Sequence, residues 1–170
     1  MNRRYFFAIA LAATLGMANS SARADESPVA IVTLFYKVSA GKDGKYSGNS
    51  AYYQDKIRIK YFSKSLRALA DAVDKKAKKE NGVGLDFDPV TDSQDPSVKD
   101  LKFEADGETD GEAAVKASFA VDGGADRKVI RYLFFRQNNA WKLDNMTTGA
   151  GEEGWDLRKL LAADLAEKAQ

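Results

Sequence analysis

The sequence predicts an α+β domain in which helices come first, an antiparallel four-stranded meander follows, and a last helix closes the chain. Two changes of period carry this reading. From Tyr53 the apolar residues Ile57, Tyr61, Phe62, Leu66, Leu69, Val73 and Ala77 recur every three to four positions, the spacing of one helix face. Beyond Gly82 the period drops to two: Ala113, Val115, Ala117, Phe119 and Val121 alternate with Lys116, Ser118 and Asp122, as a strand with one buried face requires.

Ser27 can cap a first helix whose first turn Pro28 presets and whose body is Val29 to Val38, although the many β-branched residues of that run suit a strand equally well. Ala40 to Ser50 mixes Gly, Lys, Asp, Ser and Asn without an apolar period and reads as a loop. A single long helix is then expected from Tyr53 to the stop at Asn81-Gly82. After an irregular stretch, Leu85 to Pro96, Leu101 and Phe103 alternate with Lys102 and Glu104, and Asp106-Gly107 signals a turn. Gly123-Gly124 ends the second strand. Val129 to Phe135 is apolar on both faces apart from Arg131, which marks a central strand, and Asn138-Asn139 suits a tight reversal into Trp141 and Leu143. Residues 98–147 therefore read as the meander. Gly149 to Gly154 is a loop, and Asp156 caps a helix carrying Leu157, Leu160, Leu161 and Leu165 on one side.

Ahead of this domain, residues 1–24 read as a cleavable export signal. Arg3 and Arg4 form its positive start, Phe6 to Gly16 its short apolar core, and Ala22-Arg23-Ala24 its small-residue cleavage site. The apolar run is too short to span a bilayer. The expected product is one domain, residues 25–170, periplasmic or secreted, without a membrane anchor. Three of the 26 basic residues fall in the leader, which has no acid, so the remainder is close to balance with the 25 acidic residues. That balance gives no footprint for nucleic acid. The chain has no Cys and no His, which removes disulfides, thiolate nucleophiles, a lipid-anchor cysteine and the commonest general base and transition-metal ligand. No cofactor is expected.

Two helices followed by a meander whose last hairpin reads Tyr132-Leu133-Phe134-Phe135 and Trp141-Lys142-Leu143-Asp144 resemble the nuclear-transport-factor-2-like cone fold. More narrowly, Leu85-Asp86-Phe87-Asp88-Pro89, then Asp92-Ser93-Gln94-Asp95, and the closing Leu157-Arg158-Lys159-Leu160-Leu161 are similar to a family of bacterial exported proteins and lipoproteins with a domain of unknown function. The resemblance implies N-terminal helices packed on a curved sheet. It leaves isomerases, dehydratases, ligand carriers and interaction modules open, because that fold serves them all.

Candidate chemistry lies in a few places. Asp86, Asp88, Asp92 and Asp95 with Gln94 are a dense set of oxygen ligands, but Val90 and Thr91 stand where a calcium loop needs an acid and a glycine. No metal is assigned, and the alternative is that these carboxylates accept backbone N–H bonds in turns. Asp88 and Asp95 remain the first choices for groups that point at a ligand. Arg131, alone among apolar strand residues, needs a carboxylate or an anionic ligand. Tyr36, Tyr53 and Tyr61 lie on or beside the helices that would roof a cone, with Tyr132 on its central strand. An Asp with tyrosines suffices for the acid–base chemistry of a small isomerase or lyase, the second functional reading. The first is a non-enzymatic binding module. It holds a small apolar or amphipathic ligand, or a protein partner, through Tyr61, Tyr132, Arg131, Asp88 and Asp95, in or on the sheet. A third possibility is a homodimer formed face to face by the meander. The remaining signals are weak: Ser39 and Lys42 have the S-x-x-K spacing without its companion motifs, and Lys75, Lys76, Lys78 and Lys79 suit the negative end of a helix dipole. Trp155 either borders a pocket or pins the last helix.

Overall fold

The computed structural model describes residues 26–41, 43–45, 48–95, 97–121, 127–149 and 154–167. The leader, Lys42, Pro96, Gly123-Gly124 and residues 150–153 lie outside these. Among the described residues are four helices, α1 (Pro28–Ser39), α2 (Asp55–Tyr61), α3 (Lys64–Glu80) and α4 (Leu157–Ala166). Four strands, β1 (Val98–Glu108), β2 (Glu112–Val121), β3 (Arg127–Gln137) and β4 (Ala140–Thr148), form an open antiparallel sheet in the order β1-β2-β3-β4. The chain is α+β, and the meander is the one expected. No helix among the described residues is long and apolar enough to cross a membrane.

The local signals explain most boundaries. The Ser27 side chain accepts from Ala30 N, and the Asp156 side chain accepts from Lys159 N, so both outer helices start where a capping oxygen stands. Asn81 ends α3 in the left-handed region at φ 53°, and Asn138 and Asn139 turn the β3–β4 hairpin at φ 54° and 59°.

Two expectations are corrected. The single helix from Tyr53 is two helices, broken at Phe62-Ser63. There Ser63 N donates to Leu143 O at 2.8 Å, and the Ser63 hydroxyl both caps α3 through Leu66 N and donates to Asp144 Oδ1 at 2.7 Å. The apolar period runs through the break because both helices bury one face on the same sheet. The turn predicted at Asp106-Gly107 is instead an irregularity inside β1, between Ala105 and Glu108, and the chain reverses at Thr109 to Gly111.

One core joins both halves. On β3, Ile130, Tyr132 and Phe134 are buried while Arg131, Leu133 and Phe135 are half-buried on the opposite face. From α1, Phe35 meets Tyr61, Phe62 and Tyr132 at ring centroid distances of 5.9, 6.3 and 6.4 Å, and Tyr36 meets Phe103 and Phe119 edge-on at 5.5 and 5.7 Å. Packing is uneven across the sheet: α2, α3 and α4 gather on β4, whereas α1 lies on β1 and β2.

Candidate functional site

The uneven helical cover leaves a cleft at the β1 edge. Val98, Leu101 and Phe103 face the helical side, with a bulge between Lys99 and Lys102 where Asp100 takes φ 49°. Leu101 and Phe103 are only half-buried. Together with Tyr36 and Ala40 they floor a cleft of about 520 Å³ between the end of α1 and β1, and Lys37, Asp43, Lys99 and Asp100 stand around its mouth. The segment after α1 is tied down beside it. Val98 N donates to Gly44 O at 2.8 Å, and a Cβ on Gly44, which has φ 70°, would stand 1.9 Å from Val98 O, so this approach admits only glycine.

A second cleft, about 410 Å³, lies beneath residues 83–88. Its walls include Tyr53, Leu85 and Phe87, with Asp86 and Gln94 also lining it, and Asp88 and Ser50 belong to its lining. The loop that carries Asp88 is held from several sides. The Tyr53 hydroxyl donates to the carbonyls of Leu85 and Phe87 at 2.8 and 3.2 Å, the Tyr132 hydroxyl donates to Val90 O at 3.1 Å, and Asp88 Oδ1 accepts from Val90 N at 2.9 Å. Farther along, Asp92 accepts from the Trp155 indole at 2.7 Å and pairs with Lys128 at 2.7 Å, while Trp155 meets Phe87 edge-on at 5.5 Å.

Asp88 is 6 % exposed and makes no ion pair among the described residues. Burial pushes its carboxyl above the usual carboxylate range, against the opposing pull of Val90 N and of the neighbouring Ser50, Ser39 and Thr91 hydroxyls. Those hydroxyls surround the carboxyl, yet Asp88 Oδ2 and Thr91 Oγ1 have no partner in hydrogen-bonding geometry, and neither does the Tyr36 hydroxyl. Burial also raises the Tyr36 and Tyr132 hydroxyls, and the charge of Asp88 raises both further.

Of the five residues the sequence proposed, the structure brings Asp88 and Tyr132 together and separates the rest. Tyr132 is fully buried, and Tyr61, at 6 % exposure, packs on Phe35 some distance along the core, so both rings serve packing in this conformation. Arg131 faces the other side of the sheet. There its Nε and Lys116 Nζ hold Asp106 at 2.5 and 2.6 Å, the carboxylate partner its position demanded. Asp95 is exposed, and its backbone N donates to the Ser93 hydroxyl. The four aspartates of residues 86–95 thus point in different directions: Asp88 inward, Asp92 into its pair, Asp86 and Asp95 toward solvent. Among the described residues no three acids converge to hold a metal.

Sequence reasoning missed Arg58. Its side chain is 2 % exposed, donates to Tyr52 O and Asp74 Oδ2 at 2.5 Å each, and stacks 4.5 Å above the Tyr52 ring. Its polar position in the sequence is indistinguishable from that of a solvated helix residue. The signal that could have found it is the aromatic pair Tyr52-Tyr53 one and a half turns earlier, a surface on which guanidinium groups stack.

No family model matches the chain, and no curated protein or solved structure is significantly similar to it.

Proposed function

We propose that this chain is an exported, non-enzymatic binding module of the nuclear-transport-factor-2-like class, which takes a small apolar or amphipathic ligand into the cleft between α1 and β1. The observation that carries the reading is the exposure of Leu101 and Phe103 on the helical side of the edge strand, where three helices crowd the far edge and one serves the near edge. A concave, largely apolar site of about 520 Å³ with charges confined to its mouth fits the body of such a ligand inside and its polar end outside. The order of elements, helices followed by a four-stranded antiparallel meander, supports the class, and the composition of residues 1–24 supports export.

Acid–base catalysis by Asp88 with the tyrosines draws less support, because the Tyr132 hydroxyl is committed to Val90 O and the Tyr36 hydroxyl is enclosed. A protein partner has one specific observation in its favour. Leu133 and Phe135 are half-buried on the free face of the sheet and line a groove of about 520 Å³ there, a surface equally suited to a second copy of the chain.

The test is the mass of the protein taken from the extracytoplasmic fraction, recorded under non-denaturing conditions before and after organic extraction. A small extractable mass is expected. Thr33→Trp, which fills the cleft from the half-buried surface of α1, should remove that mass without loss of folding. A bare wild-type chain would overturn the reading, and a mass made of a second protein or a second copy would transfer it to the free sheet face.

A further inference from the structure

We propose that β1 is a docking edge for a second copy of the chain, whose own β1 adds antiparallel to it about a two-fold axis at Phe103 and joins the two sheets into one. The sheet has two edges, and the described residues treat them differently. β4 is covered along its length: Leu143 bridges to Phe62, Thr147 bridges to Asp156, and Thr148 N donates to Trp155 O. On β1 only the start is covered, where Val98 N donates away from β2 to Gly44 O and Ser97 bridges to Lys45. That bond also fixes which residues of β1 point outward. Counted along the β2 register, through the bulge that sets Asp100 and Leu101 opposite Phe119, the orientation of Val98 returns at Phe103 and Ala105. Their N–H and C=O groups project from the edge, and no backbone group among the described residues pairs with them.

The side chains select the occupant. Lys102 and Glu104 are exposed on the free face and make no ion pair among the described residues, and Lys116, which stands opposite Glu104 on β2, is taken by Asp106. With Phe103 opposite its own copy, Lys102 faces Glu104 of the second copy and Glu104 faces its Lys102, so the edge is complementary to itself. A slip of two residues, the smallest that keeps every side chain on its face, sets Glu104 against Glu104 or Lys102 against Lys102. Charge therefore picks one register. On the helical side the same register brings the two half-buried Phe103 rings together across the axis. Gly44 and Lys45 hold one end of the edge, and β1 is irregular again between Ala105 and Glu108, so the new ladder runs from Leu101 to Ala105. A ladder that short gives a dimer that dissociates on dilution.

Sedimentation velocity over a dilution series at low ionic strength tests the edge, and reversed charges test its register. Lys102→Glu and Glu104→Lys should each weaken the dimer by about tenfold, because two cross-strand pairs turn from attraction to repulsion. An equimolar mixture of the two variants should recover it, since each then faces the opposite charge in the other, and so should the double variant that exchanges the two residues. Ala105→Pro removes an outward N–H that the β1–β2 ladder does not use, so the fold should persist and the dimer should be lost. A wild-type chain that stays monomeric at every concentration, single variants that leave the dimer intact, or a mixture that fails to recover it would each overturn the proposal. A dimer that survives in folded Ala105→Pro would overturn it too, and would place the second copy on the free sheet face. Should that variant not fold, the charge series decides alone. Lys102, Glu104 and Ala105 do not line the α1–β1 cleft, so the extractable mass expected there is read independently of these variants.

Discussion

Asp88 and Asp106 carry the same side chain into opposite electrostatic settings. Asp106 sits on the free face of the sheet between Lys116 and Arg131, which hold its carboxyl below the usual range, Lys116 first. Its contribution to stability is present above the unfolded value of about 3.9 and is lost as pH falls through the depressed folded value. Asp88 has the reverse sign. Burial raises its folded value, so the folded state binds the proton more tightly than the unfolded chain does. Stability from this group is therefore highest below about pH 3.9 and declines as pH rises through the raised folded value. Asp88→Asn should remove that decline, since an amide can still accept from Val90 N while donating toward the Ser39, Ser50 and Thr91 oxygens. The expected outcome is a higher thermal midpoint than wild type at pH 7, with the difference closing at pH 3. A variant less stable than wild type at both values would show that the charged form is accommodated after all.

At the scale of elements, the α2–α3 break is the joint on which the helical layer depends. Ser63 caps α3, donates to Asp144 and pairs its backbone with β4, so one residue sets the start of a helix and its registration on the sheet. Ser63→Ala should cost about 1–2 kcal/mol, the usual loss for a helix cap, measured by urea unfolding. A loss within error would mean that water replaces the cap and that the backbone bond to Leu143 O, with Ser65 and Arg158 on Asp144 at 3.2 and 3.0 Å, holds the joint. The same break shows where sequence reading stops. Apolar spacing placed the four strands and the face that the α2–α3 segment buries, because those follow from local sequence; it gave no face for α1 and put Leu165, which is exposed, on the buried side of α4. The break did not show, since Phe62 belongs to the period on either side of it and the hydrogen-bond partners that interrupt the helix lie some eighty residues away. Asp106-Gly107 misled for a related reason: a bulge and a turn draw on the same residue types, and the choice is made by the facing strand. In the site, Asp88 was legible as a carboxylate beside a proline, while its burial depends on Tyr132 and Tyr53 reaching the loop from remote elements. Leu101 and Phe103 were legible as a strand, but which strand the helices leave uncovered is a property of the assembled layers.

At the scale of the whole molecule, the question is whether α1, the helix at the cleft, can leave the sheet on its own. Ile31, Val32 and Phe35 are each at most 2 % exposed. Burial of such side chains contributes about 1.5–3 kcal/mol apiece, or about 5–9 kcal/mol together. The net stability of a domain this size is about 5–15 kcal/mol, so detaching α1 costs most of what holds the fold. Its rings also belong to the one aromatic cluster that joins Tyr61 and Phe62 of the other helical segment to Tyr132 of the sheet. The protein should therefore unfold in a single transition. Far-ultraviolet ellipticity, which reports helices, and near-ultraviolet ellipticity, which reports the packed rings, should coincide on urea titration, and calorimetric and van't Hoff enthalpies should agree. If near-ultraviolet ellipticity were lost first, with helical signal retained, the α1–sheet contact would be weaker than its burial indicates. The α1–β1 cleft would then open by local release of that helix, and a ligand bound there would restore a single transition by stabilising only the closed form.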